Sequence, residues 1–173
     1  PKAKLECRLE VGEAFLQIAQ RLGELLPTKI SLFLNLYLKV ANDPSNEFLR
    51  ASALSNIGEV CEMAKFAIAG DVESVMQTLH RSLMMEENEI ARRATVSVIT
   101  QILFGLQRDT FKLIPHHVRA ILDSLKSIEQ SDRDPITRKH AEQALKMLEH
   151  ALADVVDELI LPLPDSYAKF KFL

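Results

Sequence analysis

Two adjacent histidines, His116 and His117, are by type the residues best suited to bind a metal ion or to move a proton. Neighbouring side chains on a helix point about 100° apart, so this pair does not converge on one metal ion. His80, His140 and His150 are isolated, and no HExxH pattern includes any of the five histidines. We therefore interpret the histidines as ordinary helix residues.

Other groups that could support catalysis are equally isolated. Asp154, Asp157 and Glu158 fall at a predicted helix end, where a solvated face is the simpler interpretation. With five glycines, the sequence has no GxGxxG, GxxxxGK[ST] or GxSxG pattern. Cys7 and Cys61 lack CxxC or zinc-site spacing, which predicts reduced, buried thiols in a cytosolic or nuclear protein. The sequence therefore predicts a protein that is not an enzyme and has neither a cofactor nor a metal site.

Composition narrows the class of partner. The 24 acidic and 21 basic residues give a formal charge of −3, which offers no broad attraction for a polyanion, so we expect no nucleic-acid ligand. The longest apolar passage, residues 30–41, is interrupted by polar residues and is shorter than the roughly 18 residues that span a bilayer. Membrane contact is accordingly not expected of this segment.

An arginine that follows an acidic turn recurs along the chain and organises it. The phrase occurs at residues 42–54, 86–94 and 131–141, and its second half surrounds Arg8. Arg8 and Arg50 are 42 residues apart, Arg50 and Arg92 are 42 apart, and Arg92 and Arg138 are 46 apart. These intervals are typical of HEAT-type helical pairs. They predict an all-α, HEAT/armadillo-like α-solenoid of about three and a half helical-pair repeats plus a C-terminal tail.

Hydrophobic periodicity, prolines and glycines divide this single segment into repeat units. The units are residues 1–26 (partial), 27–69, 70–108 and 109–160, with the tail at 161–173. The predicted helices are residues 2–26, 28–41, 46–66, 72–85, 89–105, 110–130 and 136–159.

Individual residues are expected to shape these helices. Asp71 and Asp109 are predicted N-caps, and Gly105 is a predicted C-terminal stop. Gly58 is expected to permit close approach of a neighbouring helix. Pro115 either starts a helix or kinks it.

The sequence also supports one expectation for each end of the chain. No acidic turn precedes Arg8, so we expect the chain to be an excised C-terminal piece of a longer solenoid. The Leu-Pro-Leu-Pro sequence at 161–164 favours an extended path, and the aromatic residues after it predict that the tail docks on the edge of the last helical pair.

The residue types of the repeated phrase have a structural explanation. An acidic group before a helix meets the positive end of its dipole. The arginine one turn into the helix can reach the acidic turn of the neighbouring repeat, which predicts a ladder of ion pairs. Arg50, Arg92 and Arg138 are thus predicted scaffold residues. The alternative is that they line a groove for acidic peptides.

A more specific likeness is carried by Phe48 to Cys61, Ala91 to Ile99 and Leu103 to Leu106. These segments resemble the C-terminal part of the Transport and Golgi organization protein 6 family, whose fungal counterpart is the factor required for nuclear transport of RNA polymerase II. The likeness extends from the residues around Arg8 to the closing Lys-Phe-Leu of the tail. It implies a large cytoplasmic α-solenoid that shuttles to the nucleus and assists assembly or import of RNA polymerase II.

The same resemblance implies protein partners, namely polymerase subunits, assembly chaperones and nucleoporins. It also links animal members to secretion and Golgi organisation, which implies Golgi association. The sequence therefore leaves three hypotheses: a protein-binding scaffold, a trafficking adaptor whose tail touches a bilayer, and self-association through the N-terminal helix. Candidate partner-binding residues are exposed positions on the second helices and in the tail: Arg50, Asn56, Glu59, Arg93, Gln101, Lys139, Gln143, Lys146, Tyr167, Phe170 and Phe172.

Overall fold

The computed structural model describes the backbone of residues 2–160 and the side chains of residues 4–156. Every regular element within residues 2–160 is a helix, which confirms the all-α prediction. The α-helices are α1 (Lys2–Leu22), α2 (Ile30–Ala41), α3 (Glu47–Ala64), α4 (Val72–Met85), α5 (Glu89–Leu106), α6 (Thr110–Leu113), α7 (Pro115–Ser131) and α8 (Pro135–Ile160). Short 3₁₀ segments follow α1, α3 and α5, at Gly23–Thr28, Lys65–Gly70 and Gln107–Asp109.

The long helices form two rows. In the first row, α1 packs on α3, α3 on α5 and α5 on α8. In the second row, α2 packs on α4 and α4 on α7. Each second-row helix also packs on the first-row helix that follows it in sequence: α2 on α3, α4 on α5 and α7 on α8. The core lies between the rows, and its largest fully buried side chains include Tyr37, Leu34, Leu54, Ile57, Leu79, Ile99 and Leu125.

Tyr37 connects the first two helices. Its hydroxyl donates to the carbonyl oxygen of Gly12 at 2.9 Å, so the one polar atom of a buried ring is satisfied. Burial, together with the charges of Glu13 and Glu59, raises the pKa of Tyr37 to about 12. The phenol therefore remains a hydrogen-bond donor across the physiological range.

Two glycines set the close packing of α3 on α5. A Cβ added at Gly58 would lie 1.9 Å from Oε1 of Gln101 and 3.3 Å from Cα of Val98. A Cβ added at Gly105 would lie 3.2 Å from Cα of Glu62. The predicted role of Gly58 in close helix approach is confirmed, and Gly105 has the same role on the opposite helix.

The first three first-row helices end on a residue with positive φ, 15 positions after the repeated arginine. These residues are Gly23 (φ 49°), Lys65 (φ 49°) and Gln107 (φ 47°). The prediction that Gly105 terminates α5 is wrong, because the helix continues to Leu106 and the left-handed residue is Gln107. Glycine adopts this conformation without steric cost, whereas lysine and glutamine are strained in it.

Helices α4 and α6 begin differently from the prediction. Neither Asp71 nor Asp109 makes a side-chain capping bond. The Asp71 carboxylate instead accepts from the Ser31 hydroxyl of α2 at 2.6 Å, and Asp109 pairs with Lys112 at 3.1 Å. Both predicted caps are therefore wrong, because these carboxylates bind other side chains.

The positions of two prolines and two cysteines can also be compared with the expectations from sequence. Pro115 is the first residue of α7, so of the two predicted roles it starts a helix. Pro27 lies inside a 3₁₀ segment, and α2 begins at Ile30. Cys61 is buried as predicted, but Cys7 is exposed on α1, so the prediction of two buried thiols is wrong for Cys7.

None of the helices described between residues 2 and 160 combines the length and apolar character that a membrane span requires.

Candidate protein-binding surface

Ion pairs join three of the repeated arginines, Arg8, Arg50 and Arg92, to the acidic turn before the next first-row helix. Arg50 makes two bonds to Glu86, from Nε at 2.8 Å and from Nη2 at 2.9 Å. Arg92 binds Asp132 at 3.0 Å. Arg8 approaches Asp43 at 3.6 Å in a more exposed setting. These contacts confirm the predicted ladder.

Each acidic side chain of the ladder also orders its own turn. Backbone N–H groups two residues further on donate to the same carboxylates: Ser45 to Asp43 at 2.9 Å, Asn88 to Glu86 at 3.0 Å and Asp134 to Asp132 at 2.8 Å. A carboxylate that accepts from both the guanidinium and the backbone fixes the turn in the position that the arginine requires.

The arginines are held from the other side by carbonyl oxygens of the turn that precedes their own helix. Nη1 of Arg50 donates to the carbonyl of Pro44 at 3.2 Å, and Nη1 of Arg92 donates to that of Glu87 at 3.2 Å. Arg138 does the same with Asp132 at 2.6 Å. The carbonyl contacts thus help to hold the guanidinium groups in place.

The first-row helices α3, α5 and α8 share an N-cap at the position four residues before the arginine. Asn46 accepts from the backbone N–H of Leu49, and Asn88 accepts from those of Ile90 and Ala91. Asp134 accepts from Ile136 and Thr137. An N-cap of this kind satisfies amides that the first helical turn leaves unpaired.

A fourth ion pair fixes α5 against the start of α8. Nε of Arg93 donates to Asp134 at 2.9 Å, and the Asp134 side chain is only 5% exposed. Arg93, followed by the Thr137 and backbone hydrogen bonds, holds the pKa of Asp134 well below its usual range despite desolvation. Partial burial would raise the pKa of Glu86, but the bonds from Arg50 and Asn88 outweigh burial, so that pKa is also lowered. Both carboxylates are ionised at neutral pH.

Beside these pairs, the first-row helices form a shallow groove of about 430 Å³. Its floor is made of small side chains: Ala51, Ser52, Ser55, Ala94 and Ser97. Leu9 of α1, Phe48 of α3, Ile90 of α5 and His140 of α8 line its edges. Small floor residues let a bound chain approach the helices closely.

Two apolar side chains that line the groove, and the equivalent side chain at the start of α8, are well exposed. Phe48 is 47% exposed, Ile90 45% and Ile136 46%. All three occupy the position two residues before a repeated arginine. We call Phe48, Ile90 and Ile136 the apolar row. The sequence analysis missed these residues, although their equivalent positions in the repeated phrase were a usable signal.

The candidate residues proposed from sequence occupy different environments. Arg50 and Arg93 are held in the ion pairs described above. Gln101 lies over Gly58, and Glu59 accepts from the Gln20 amide at 3.4 Å. Asn56 is only 5% exposed beside Gly12, so its predicted exposure is wrong: close packing of α1 on α3 buries it.

The candidates on α8 are exposed. Lys139 and Gln143 face solvent, and Lys146 pairs with Glu142 one turn away. Tyr167, Phe170 and Phe172, with the predicted docking of the tail, lie outside the residues that the structure describes. Among the predicted residues that the structure describes, Lys139, Gln143 and Lys146 are therefore the accessible ones.

Comparison with known proteins gives two matches. A family model described as "Required for nuclear transport of RNA pol II C-terminus 2" matches residues 117–150, which cover most of α7 and part of α8. The chain is also 32% identical over 149 residues to "Transport and Golgi organization protein 6" of Drosophila melanogaster. That alignment covers 84% of this chain and 16% of the relative, so the chain spans a small part of that protein's length. No solved structure matches the chain. The two matches confirm the resemblance that the residues indicate: this chain is similar to a member of the Transport and Golgi organization protein 6 family.

Proposed function

We propose that this chain is a non-catalytic protein–protein interaction scaffold built as a HEAT/armadillo-like α-solenoid. The observation that carries the proposal is the repeated arginine ladder, which joins successive first-row helices and leaves the apolar row and the serine-lined groove accessible beside it. Stacked helical pairs of this kind offer an extended surface that suits binding to other proteins.

The scaffold is proposed to act in cytoplasmic assembly and nuclear import of RNA polymerase II. Support comes from the description of the family model that matches residues 117–150. Polymerase subunits, their assembly chaperones and nucleoporins are the proposed partners. The proposed location is the cytoplasm, with shuttling to the nucleus.

A second candidate function is that of a trafficking adaptor in secretion and Golgi organisation. It is favoured by the name of the Drosophila relative, "Transport and Golgi organization protein 6". In this case the chain would act at the Golgi, and its tail would touch a bilayer surface.

A pull-down from cell extract with the purified chain tests the first function. Recovery of polymerase II subunits or of their assembly chaperones is the expected result, and absence of both from a folded sample would contradict it. A matched variant, Arg50→Ala with Arg92→Ala, keeps the groove residues but breaks the ladder, and we expect it to lose both stability and binding.

Co-sedimentation with Golgi-like liposomes tests the second function. The chain with and without residues 162–173 should be compared. Sedimentation that requires those residues would support the adaptor, and no sedimentation of either form would exclude bilayer contact through the tail.

A further inference from the structure

We propose that the groove across α1, α3, α5 and α8 binds an extended, polyproline-II-like segment of a partner protein, with an apolar side chain at every third position and an acidic residue at the end over α8. This inference rests on the proposed scaffold function and names the chemistry of the partner. Spacing, hydrogen bonding and charge each support it separately.

The spacing of the apolar row fits such a segment. Phe48, Ile90 and Ile136 lie at equivalent positions of three successive packed helices. Packed helices have axes about 8–10 Å apart, so neighbouring members of the row are separated by about that distance. A polyproline-II chain repeats every three residues with about 3.1 Å per residue, which places every third side chain on one face about 9 Å apart.

A helical ligand could match the same spacing with an apolar side chain at every seventh residue. Free hydroxyl groups in the groove favour an extended ligand instead. Ser52, Ser55 and Ser97 line the groove, and their hydroxyls make no hydrogen bond within the described part of the chain. A bound helix satisfies its own backbone groups and would bury these hydroxyls without partners. An extended chain has unpaired N–H and C=O groups that these hydroxyls can bond.

The charges at the two ends of the groove are opposite, which sets the direction of the ligand. On α1, Glu6 and Glu13 are exposed and lie one helical turn on either side of Leu9, which lines the groove. On α8, Lys139 is exposed and lies one turn from Ile136. Arg93, which lines the groove, is already paired with Asp134. Lys139 is thus an exposed positive group at that end, and it favours an acidic residue there.

Selection from a phage-displayed library of random 12-residue peptides on the immobilised chain is the direct test. The expected consensus has apolar residues at positions i, i+3 and i+6 with Asp or Glu at one end. Failure to enrich any sequence would overturn the proposal, as would a helical consensus at i, i+3, i+4 and i+7.

Fluorescence anisotropy with the labelled selected peptide then locates its site. Phe48→Ser with Ile90→Ser should weaken binding at least about tenfold. The matched control is Met84→Ser with Met85→Ser. These two side chains are 68% and 76% exposed, and neither lines the groove. Lys139→Glu should weaken binding about threefold at low salt, whereas Lys126→Glu on α7 should not. Equal binding by the groove variant and the wild type would contradict the assignment of the peptide to the groove.

Circular dichroism melts of each variant show whether a loss of binding is due to a loss of folding.

The same groove variant separates this inference from the proposed function. If the wild type and the groove variant recover polymerase subunits equally, the scaffold function stands and the groove is not its site. If the selected peptide binds the groove but no polymerase subunit or chaperone is recovered, the groove inference stands and the proposed function fails.

Discussion

Arg50 and Glu86, 36 residues apart in sequence, form a two-pronged ion pair in which the arginine and glutamate side chains are only 17% and 11% exposed. The planar guanidinium matches the two carboxylate oxygens, and a lysine cannot reproduce this geometry. The pair joins the start of α3 to the turn before α5. It is therefore a contact between neighbouring helical pairs and not a local helix contact.

Replacement of Arg50 by alanine should destabilise the fold. The change leaves the largely buried Glu86 carboxylate without its charged partner, and we expect a loss of about 2 kcal/mol in the free energy of unfolding. Urea denaturation followed by circular dichroism measures it. Arg50→Lys should recover only part of the loss. The control is Arg8→Ala, whose contact with Asp43 is longer and more exposed, and a comparable loss there would contradict the argument.

Acid should remove the contribution of Asp134. Because the folded-state pKa of this carboxyl is lowered, its stabilisation is fully present above the ordinary aspartate pKa of about 4 and is lost as the pH falls below that value. Asp134→Asn keeps a capping side chain but breaks the pair with Arg93. The variant should melt below the wild type at pH 7, and the difference in Tm should shrink as the pH falls from 4 to 2. A constant difference over that range would rule out the ion pair as its cause.

Glycine should stabilise the strained helix ends. Lys65 and Gln107 combine φ near 50° with ψ of −124° and −127°, a conformation that side chains disfavour. Lys65→Gly and Gln107→Gly should each raise the free energy of unfolding by about 1 kcal/mol, because relief of strain exceeds the added entropy of the unfolded chain. Lys65→Ala is the control and should give no such gain. Thermal melts compare the variants, and a lower Tm for both glycine variants would refute the strain argument.

A larger side chain at Gly105 should separate α3 from α5. Since a Cβ there already meets backbone atoms of Glu62, Gly105→Leu must displace a helix, and we expect a destabilisation of about 2–3 kcal/mol. Gly70→Leu is the matched control, because a Cβ added at Gly70 has nothing within 4 Å apart from its own local chain. Chemical denaturation of both variants distinguishes packing from a general effect of the substitution, and equal losses would contradict the packing explanation.

The repeated phrase allowed the helix order and the arginine ladder to be predicted, because both depend on residues at fixed spacing. The caps were less predictable. Asp71 and Asn88 are both short polar residues before a helix, yet Asp71 is bound by Ser31, 40 residues away, whereas Asn88 caps. Sequence spacing carries no information on such long-range competition.

The groove could not be predicted from hydrophobicity. Phe48 and Leu49 are adjacent and both apolar, but Leu49 is 5% exposed and Phe48 is 47% exposed. Only the packing of α1, α3 and α5 decides which one faces the core. Asn56 is buried for the same reason, because α1 packs on α3 and brings Gly12 against its side chain.

The ion pairs between neighbouring first-row helices become more extensive along the chain. A single long contact from Arg8 joins α1 to the turn before α3, a two-pronged pair joins α3 to the turn before α5, and two separate pairs, from Arg92 and Arg93, join α5 to the loop before α8. Partial unfolding should therefore begin by detachment of α1 and should reach the α5–α8 junction last. The molecule would then lose its structure in a fixed order, and amide hydrogens of α1 would exchange with solvent well before those of α5.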